Sequence, residues 1–269
     1  MSRTSWRVAL VCLLLIVAAG CSEGDEGGSA TDATGAATAS TGATGATAAT
    51  GATAATGATG PSMLLENGPL EPGTYSFDGF GEPFSITLGE GWEAFVFEGP
   101  GEKETELGQF FALFNADHPA ANIAFVQPTR MVDPAKDWDE EGNLISVADD
   151  LVAWFEQHPM HDAQRVFDTS VAERPGSGVD LVVVDVPKNG WPGCGGACVV
   201  WAPISVEHED GPLTDHDLIF GGALDEVDRE IVIVVGGQQL LIDIGAGDRK
   251  SFDAFLPLAE ELLGTIQIG

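Results

Sequence analysis

Two of the chain's four cysteines, Cys194 and Cys198, lie in the stretch WPGCGGACVVW, and their spacing limits the chemistry that they can do. Their C-x3-C spacing differs from the C-x-x-C spacing of thiol redox sites. A zinc site needs four ligands, and the nearest histidine, His208, follows only after the next predicted strand. In an oxidising compartment a structural disulfide between Cys194 and Cys198 is the favoured interpretation, with metal and redox roles left as alternatives.

The N-terminal segment indicates which compartment the protein occupies. Arg3 and Arg7 form the short basic region of an export signal. The apolar run Val8–Ala19 follows and ends two residues before Cys21. This order resembles the bacterial lipoprotein signal, and the resemblance implies cleavage before Cys21 and lipidation of that residue. The alternative is an ordinary export signal that contains a cysteine. We expect a lipid-anchored protein on the extracytoplasmic face of a bacterial membrane, at the cell surface or in the periplasm.

A change of composition separates a linker from a folded domain. Ser22–Pro61 is mainly Ala, Thr and Gly and contains no aromatic or large aliphatic residue. Such a segment cannot bury a core, so we expect it to be disordered and to span roughly 35 Å end to end. We therefore assign residues 1–20 to the signal peptide, 21–62 to the lipidated cysteine and disordered linker, and 63–269 to one globular domain.

The charge of the chain narrows the class of partner. The chain has 11 basic and 42 acidic residues and a formal net charge of −31. This acidic surface repels nucleic acid and anionic lipid headgroups, and it attracts cations and basic partners. A solvated acidic coat explains the charge most simply, and cation binding is the alternative.

One acidic stretch, DWDEEGN, has part of the spacing of a calcium loop. Asp137, Asp139 and Glu141 occupy positions 1, 3 and 5, and Gly142 occupies the sharp bend at position 6. Alternating oxygen ligands wrap one ion in such a loop, but position 12, which should be a bidentate Glu, is Ala148. Calcium binding by this stretch is one interpretation and a solvated loop is the other, so calcium is the single cofactor that the sequence suggests.

The aromatic residues beside the cysteine loop suggest one ligand contact. Trp191 and Trp201 flank this loop. An exposed indole on a fixed turn can stack on a sugar ring or anchor a partner, so Trp191 is a candidate contact. The competing interpretation is that Trp201 belongs to the core and Trp191 packs over the turn.

No sequence feature specifies a reaction. The chain contains no G-x-S-x-G, S-x-x-K or H-E-x-x-H motif. His158 and His161 follow a predicted helix, where the helix dipole favours a cation. Carboxylates are so numerous that pairing two of them says little about hydrolysis. We therefore assign no catalytic residue and expect that the protein is not an enzyme.

The hydrophobic pattern predicts a largely β domain. PFSITL and EAFVFE alternate, and EIVIVVGGQQLLIDIG predicts a hairpin across Gly236–Gly237. Ser146–Pro159 predicts a helix capped by Ser146. A second helix is predicted with Ser251 as its cap, and Pro257 should kink it unless the proline lies in the first turns. We predict a single α+β domain with a largely antiparallel sheet and about two packed helices.

Both ends of the domain resemble a known superfamily. The stretch FSITLGEGW near its start and LAEELLGTIQI near its end are similar to those of PsbP-like extracytoplasmic domains. The resemblance implies an accessory or binding module and assigns no residue a role.

These features lead to three functional hypotheses. The first is a membrane-anchored lipoprotein that serves as a non-enzymatic binding or accessory module for another envelope protein or a cell-wall component. The second is a divalent-cation-binding protein, and the third is a hydrolase that uses a carboxylate pair.

Overall fold

The computed structural model describes residues 62–97, 99, 105–138, 140–187, 191, 197–206, 213–214 and 217–269. The predicted signal peptide, Cys21 and nearly all of the predicted linker lie outside these residues, as do Asp139 and Cys194. Within the described ranges, no helix is long and apolar enough to cross a membrane.

The described residues form short strands and two helices. The strands are β1 Met63–Leu64, β2 Gly68–Leu70, β3 Gly73–Phe77, β4 Phe84–Leu88, β5 Trp92–Val96, β6 Thr105–Glu106, β7 Gly108–Asn115, β8 Ala121–Pro128, β9 Arg130–Val132, β10 Leu144–Ser146, β11 His161–Val171, β12 Arg174–Val183, β13 Cys198–Val206, β14 Leu218–Ala223, β15 Val227–Val235, β16 Gln238–Ala246 and β17 Gln267–Ile268. The helices are α1 Leu151–Gln157 and α2 Arg249–Leu263.

A large antiparallel sheet forms the centre of the domain. Its eight strands follow the order β11-β12-β15-β16-β8-β7-β5-β2, and every neighbouring pair is antiparallel. Smaller sheets have the orders β1-β3-β4-β17, β14-β13-β6 and β10-β9. The predicted α+β fold with a largely antiparallel sheet and two helices is confirmed.

The large sheet buries side chains on both of its faces. On one face, which we call the first core, Ile231 and Ile242 pack with Phe252 and Phe255 of α2 and with residues of the four-stranded sheet. On the other face, the second core, Val232 packs with α1 and with β13. Side chains alternate between the faces of a strand, so β15 and β16 contribute Ile231 and Ile242 to the first core and Val232 and Leu241 to the second.

The first helix begins later than its sequence pattern predicts. Leu144–Ser146 forms β10 and pairs with Arg130–Val132, so the predicted N-cap Ser146 belongs to a strand. The cap is Asp150, whose carboxylate accepts a hydrogen bond from the backbone N–H of Ala153 at 3.0 Å. Backbone pairing of β10 with β9 satisfies the polar groups that a longer helix would have used.

The second helix also has a different cap from the predicted one. Asp248, not Ser251, caps α2, and its carboxylate accepts hydrogen bonds from the backbone N–H and the hydroxyl of Ser251 at 2.9 and 2.7 Å. The helix continues through Pro257, which lies on its exposed side. Asp is as good a cap as Ser, and here it stands three residues earlier.

The predicted hairpin at Gly236–Gly237 is present between β15 and β16. Both glycines have positive φ, +61° and +80°, which a two-residue hairpin turn requires. A Cβ on Gly236 would also lie 2.6 Å from the carbonyl oxygen of Phe80. The turn therefore needs glycine for its backbone angle and for the close approach of the neighbouring loop.

A group of phenylalanines fills the centre of the first core. Phe111 and Phe125 lie opposite each other on β7 and β8, with ring centroids 4.5 Å apart. Phe77 and Phe84 contact the Phe111 ring at centroid distances of 4.9 and 5.8 Å. Phe111 is 0% exposed, so its ring joins the large sheet to the four-stranded sheet.

We expect Phe111→Ala to lower the free energy of unfolding by about 3–5 kcal/mol, because it leaves a cavity among four other phenylalanine rings. Urea unfolding of the full chain measures this change. The matched control is Val166→Ala, since Val166 is 49% exposed and its truncation should change stability by less than about 0.5 kcal/mol. Equal losses for the two variants would contradict this account of the core.

Candidate functional site

A positively charged side chain lies directly before the predicted calcium loop and reaches back to it. The ammonium group of Lys136 donates hydrogen bonds to the carbonyl oxygens of Glu141 and Gly142 at 3.2 and 2.8 Å. Asp137 is half-buried and Glu141 is exposed, while Asp139 lies outside the described residues. Lys136 therefore provides a cation for two loop carbonyls, and calcium binding by Asp137, Asp139 and Glu141 stays a prediction.

Trp191 is buried. Its ring is 2% exposed and meets Trp138 edge-to-face, with ring centroids 4.9 Å apart. It belongs to a small third cluster with Val200 and Val206 of β13. This packing matches the competing interpretation, and a ligand contact through Trp191, which would need the ring to become accessible, stays a prediction. Trp201 is likewise 1% exposed and belongs to the second core.

Only one of the two cysteines of the predicted disulfide is among the described residues. Cys198 is the first residue of β13 and packs, half-buried, against the third cluster. Cys194 lies outside the described residues. The bond between Cys194 and Cys198 therefore stays a prediction, as does lipidation of Cys21.

Two histidines at the end of α1 form a buried pair. The rings of His158 and His161 stack with centroids 4.2 Å apart. The Nε1–H of Trp201 donates to His161 Nε2 at 3.0 Å, so the proton of a neutral His161 ring belongs on Nδ1, 3.2 Å from the carbonyl oxygen of Phe155. The Met160 backbone N–H donates to His158 Nδ1 at 3.3 Å. The pair is thus held as two neutral rings.

The environment of this pair keeps both imidazoles uncharged at neutral pH. Burial, and next the neighbouring His161, lower the pKa of His158 to about 3, and burial lowers the pKa of His161 to about 4. The helix dipole therefore does not act on a histidine cation here, in contrast to the expectation from the sequence. An imidazole in the unfolded chain takes up a proton near pH 6.5. The pair's contribution to stability is therefore complete above pH 6.5 and decreases as the pH falls from 6.5 towards 4.

Four carboxylates are buried on or directly beside two interior strands of the large sheet, β15 and β16. Glu226 precedes β15, Asp228 and Glu230 lie within it, and Asp243 lies on β16 directly opposite Glu230. The four residues are at most 6% exposed. Asp228, Glu230 and Asp243 share the face of the sheet that also carries Val232, so they extend the second core.

Few protein groups satisfy these carboxylates. The Ala223 backbone N–H donates to Glu226 Oε2 at 2.6 Å. Asp228 Oδ2, Asp243 Oδ1 and both carboxylate oxygens of Glu230 are buried and accept no hydrogen bond from the described part of the chain. Burial raises the pKa of Glu226 to about 7 and raises the pKa of each of the other three well above its usual range, and the neighbouring carboxylates raise those three further.

A groove lies on the opposite side of the large sheet, beside its edge strand β11. The groove has a volume of about 670 Å³ and is bounded by β11, β15 and the C-terminal end of α2. The guanidinium groups of Arg165 and Arg229 lie 5.2 and 5.0 Å from the centre of the Phe167 ring. Arg229 is also bonded to Asp180 at 2.7 Å and to Glu260 at 2.8 Å. Arg165 is exposed and forms no ion pair with a described residue.

The sequence contained a signal for the buried carboxylates that motif searching missed. Glu226, Asp228 and Glu230 recur at every second position of a strand that is otherwise apolar, and this spacing places them on one face. Asp243 is likewise isolated among aliphatic residues of the next strand. Charged residues at strand spacing inside such a run indicate an enclosed polar group.

Comparison with known proteins finds similarity among solved structures. No protein-family model and no curated protein matches the chain. Among solved structures, it is similar to the solution structure of cyanobacterial PsbP (CyanoP) from Synechocystis sp. PCC 6803, at 10% identity over 78% of this chain and 100% of that chain, with a TM-score of 0.38.

We expect the purified full chain to show no free thiol at Cys194 or Cys198 in the absence of reductant, because two cysteines this close should be oxidised in an extracytoplasmic compartment. Alkylation under denaturing conditions, followed by peptide mass spectrometry, measures the thiols. The same protein treated with reductant before alkylation is the control. Rapid alkylation of either cysteine without reductant would show that they do not form the bond.

We expect the rings of His158 and His161 to stay neutral in the native protein at pH 5. Heteronuclear NMR of the ring nitrogens reports their protonation directly. The same chain unfolded in urea is the control, and there both rings should titrate near pH 6.5. A native-state midpoint above pH 6 for either ring would contradict the neutral pair.

Proposed function

We propose that the chain is a lipid-anchored extracytoplasmic protein whose folded domain is a non-enzymatic binding or accessory module. The signal-like segment before Cys21 and the Ala/Thr/Gly-rich linker support the anchored part of this proposal. Two or more acyl chains would hold the protein stably on a membrane, and a flexible linker would let the domain reach partners near it.

The observation that carries the binding role is the edge of the large sheet at β11. This strand pairs with β12 on one side, and on its other side no described strand pairs with it. Its exposed residues include Val166, which is 49% exposed. Backbone N–H and C=O groups along such an edge can pair with an extended segment of another protein.

The charge beside this edge indicates what kind of segment would bind. Arg165 lies on β11 and is available to a carboxylate, in a chain with 11 basic and 42 acidic residues. Its guanidinium is already positioned over the Phe167 ring, so less side-chain freedom is lost when it binds an anion. We therefore propose an envelope protein that contributes an extended segment with an acidic side chain near Arg165.

The partner can be trapped by crosslinking on living cells of the native host. A photoreactive residue at Val166 of the full chain should capture one reproducible protein, which mass spectrometry identifies. The matched control carries the same residue at Asp253, an exposed position on α2. Capture at Asp253 but not at Val166, or no capture at either, would remove the support for this edge as the binding surface.

The charge contribution has its own matched pair of variants. Arg165→Glu should reduce capture at Val166 about threefold to tenfold, because it places a negative charge where the partner's carboxylate binds. Lys250→Glu changes the net charge by the same amount at the exposed start of α2 and should leave capture unchanged. Equal losses would assign the effect to the overall charge of the domain and not to Arg165.

A further inference from the structure

Among the residues that the structure describes, no positive side chain is paired with the buried carboxylates. Arg229 is adjacent in sequence to Asp228, but it points to the other face of the sheet and binds Asp180 and Glu260 there. The residues opposite Asp228 and Glu230 on β12 are Leu181 and Val179. On the other side, Asn122 and Ala124 of β8 face Gly245 and Asp243. The neighbouring strands therefore bring no charge to the cluster.

Four ionised carboxylates cannot share so small an enclosed space without compensation. Removing a carboxylate from water is strongly unfavourable unless it is paired, and each added like charge increases the penalty. Three of the four residues keep at least one buried oxygen without a partner, namely Asp228, Glu230 and Asp243. Only two kinds of positive species fit there: protons or a bound cation.

The shape of the cluster favours a cation. A Cβ built on Gly245 would lie 2.9 Å from Asp228 Oδ1, 3.2 Å from Glu226 Oε1 and 3.5 Å from Asp243 Oδ1. Three carboxylates from two strands and the turn before them therefore converge on the space that this missing side chain leaves open. Glu230 lies opposite Asp243 and can supply a fourth carboxylate.

The donor atoms determine the class of cation. All four side chains offer hard carboxylate oxygens, and Ca²⁺ binds such oxygens with flexible geometry and a variable number of ligands. Among the described residues, no group of three His, Cys, Asp or Glu side chains is already positioned to coordinate a metal ion. Binding therefore requires the carboxylates to turn towards one point, which Ca²⁺ tolerates better than the strictly octahedral Mg²⁺.

We propose that Glu226, Asp228, Glu230 and Asp243 bind one calcium ion in the space above Gly245. This site is separate from the predicted loop at Asp137, Asp139 and Glu141. It does not depend on the proposed partner at β11. The ion neutralises part of the charge that folding encloses and links β15 to β16 and to the turn that precedes β15.

The first measurement is the thermal unfolding of the full chain near neutral pH after removal of bound metal by EDTA. Calcium at about ten times its dissociation constant should raise Tm by about 3–6 °C. Sodium chloride at matched ionic strength is the control for screening of the acidic surface. A calcium effect no larger than the sodium effect would overturn the proposal and leave protons as the compensating species.

Two double variants that each remove two negative charges locate the ion. Asp228→Asn with Asp243→Asn should raise Tm in the absence of calcium, by relieving repulsion, and should abolish the calcium response. Asp137→Asn with Glu141→Gln should keep that response. A response that survives the first variant, or that both variants lose, would overturn the assignment to the cluster.

Direct binding to the wild-type chain keeps the test decisive if the first double variant does not fold. Equilibrium dialysis with radioactive calcium, in moderate salt to suppress diffuse binding, should show saturation at one ion per chain. The loop variant is again the matched control and should bind the same amount. The absence of a saturable site, or its loss in the loop variant, would contradict calcium binding by the cluster.

Discussion

The burial of both faces of the large antiparallel sheet is the constraint on which the rest of the domain depends. α2 and the four-stranded sheet cover one face, while α1 and β13 cover the other. The interior strands β15 and β16 are therefore covered by a hydrophobic core on each side. Any charged residue on them must be paired, protonated or bound to an ion.

The domain meets this requirement in two different ways on neighbouring residues. Arg229 is directed to the first face and is bonded to carboxylates from β12 and α2. Its neighbours Asp228 and Glu230 are directed to the second face, where the adjoining strands supply no cation. The alternation of side chains along β15 thus places the ion pairs of Arg229 on one face and a group of acids without a basic neighbour on the adjoining strands on the other.

The buried acids and the buried histidines affect stability in opposite directions as the pH changes. In the ion-free protein, burial raises the pKa of Glu226 from 4.5 to about 7, so the native state holds a proton that the unfolded state has lost between those values. This contribution to stability grows as the pH falls. The stabilising contribution of the histidine pair decreases over an overlapping pH range, because folding lowers the pKa of His161 from 6.5 to about 4. The pH dependence of the whole domain is the difference between these effects.

Sequence patterns predicted the elements of the fold better than the site. Alternation and the Gly236–Gly237 turn were enough for the hairpin, since both depend on local backbone geometry. The start of α1 was mispredicted because pairing of Leu144–Ser146 with β9 is a tertiary contact that local capping preferences do not contain. The carboxylate cluster was missed because Asp243 meets Glu230 only after the hairpin closes, and in a chain this acidic no single carboxylate stands out.

The last strand, β17, has a consequence for the order in which the protein is made and folded. Gln267–Ile268 pairs with Phe84–Ser85, and Gly269 N–H donates to the Pro83 carbonyl at 2.9 Å. The four-stranded sheet therefore cannot be completed until residue 268 has left the ribosome. Contacts this distant in sequence slow folding. For a chain that crosses a membrane unfolded, this delay would be favourable, because the chain would stay unfolded long enough during synthesis to be translocated.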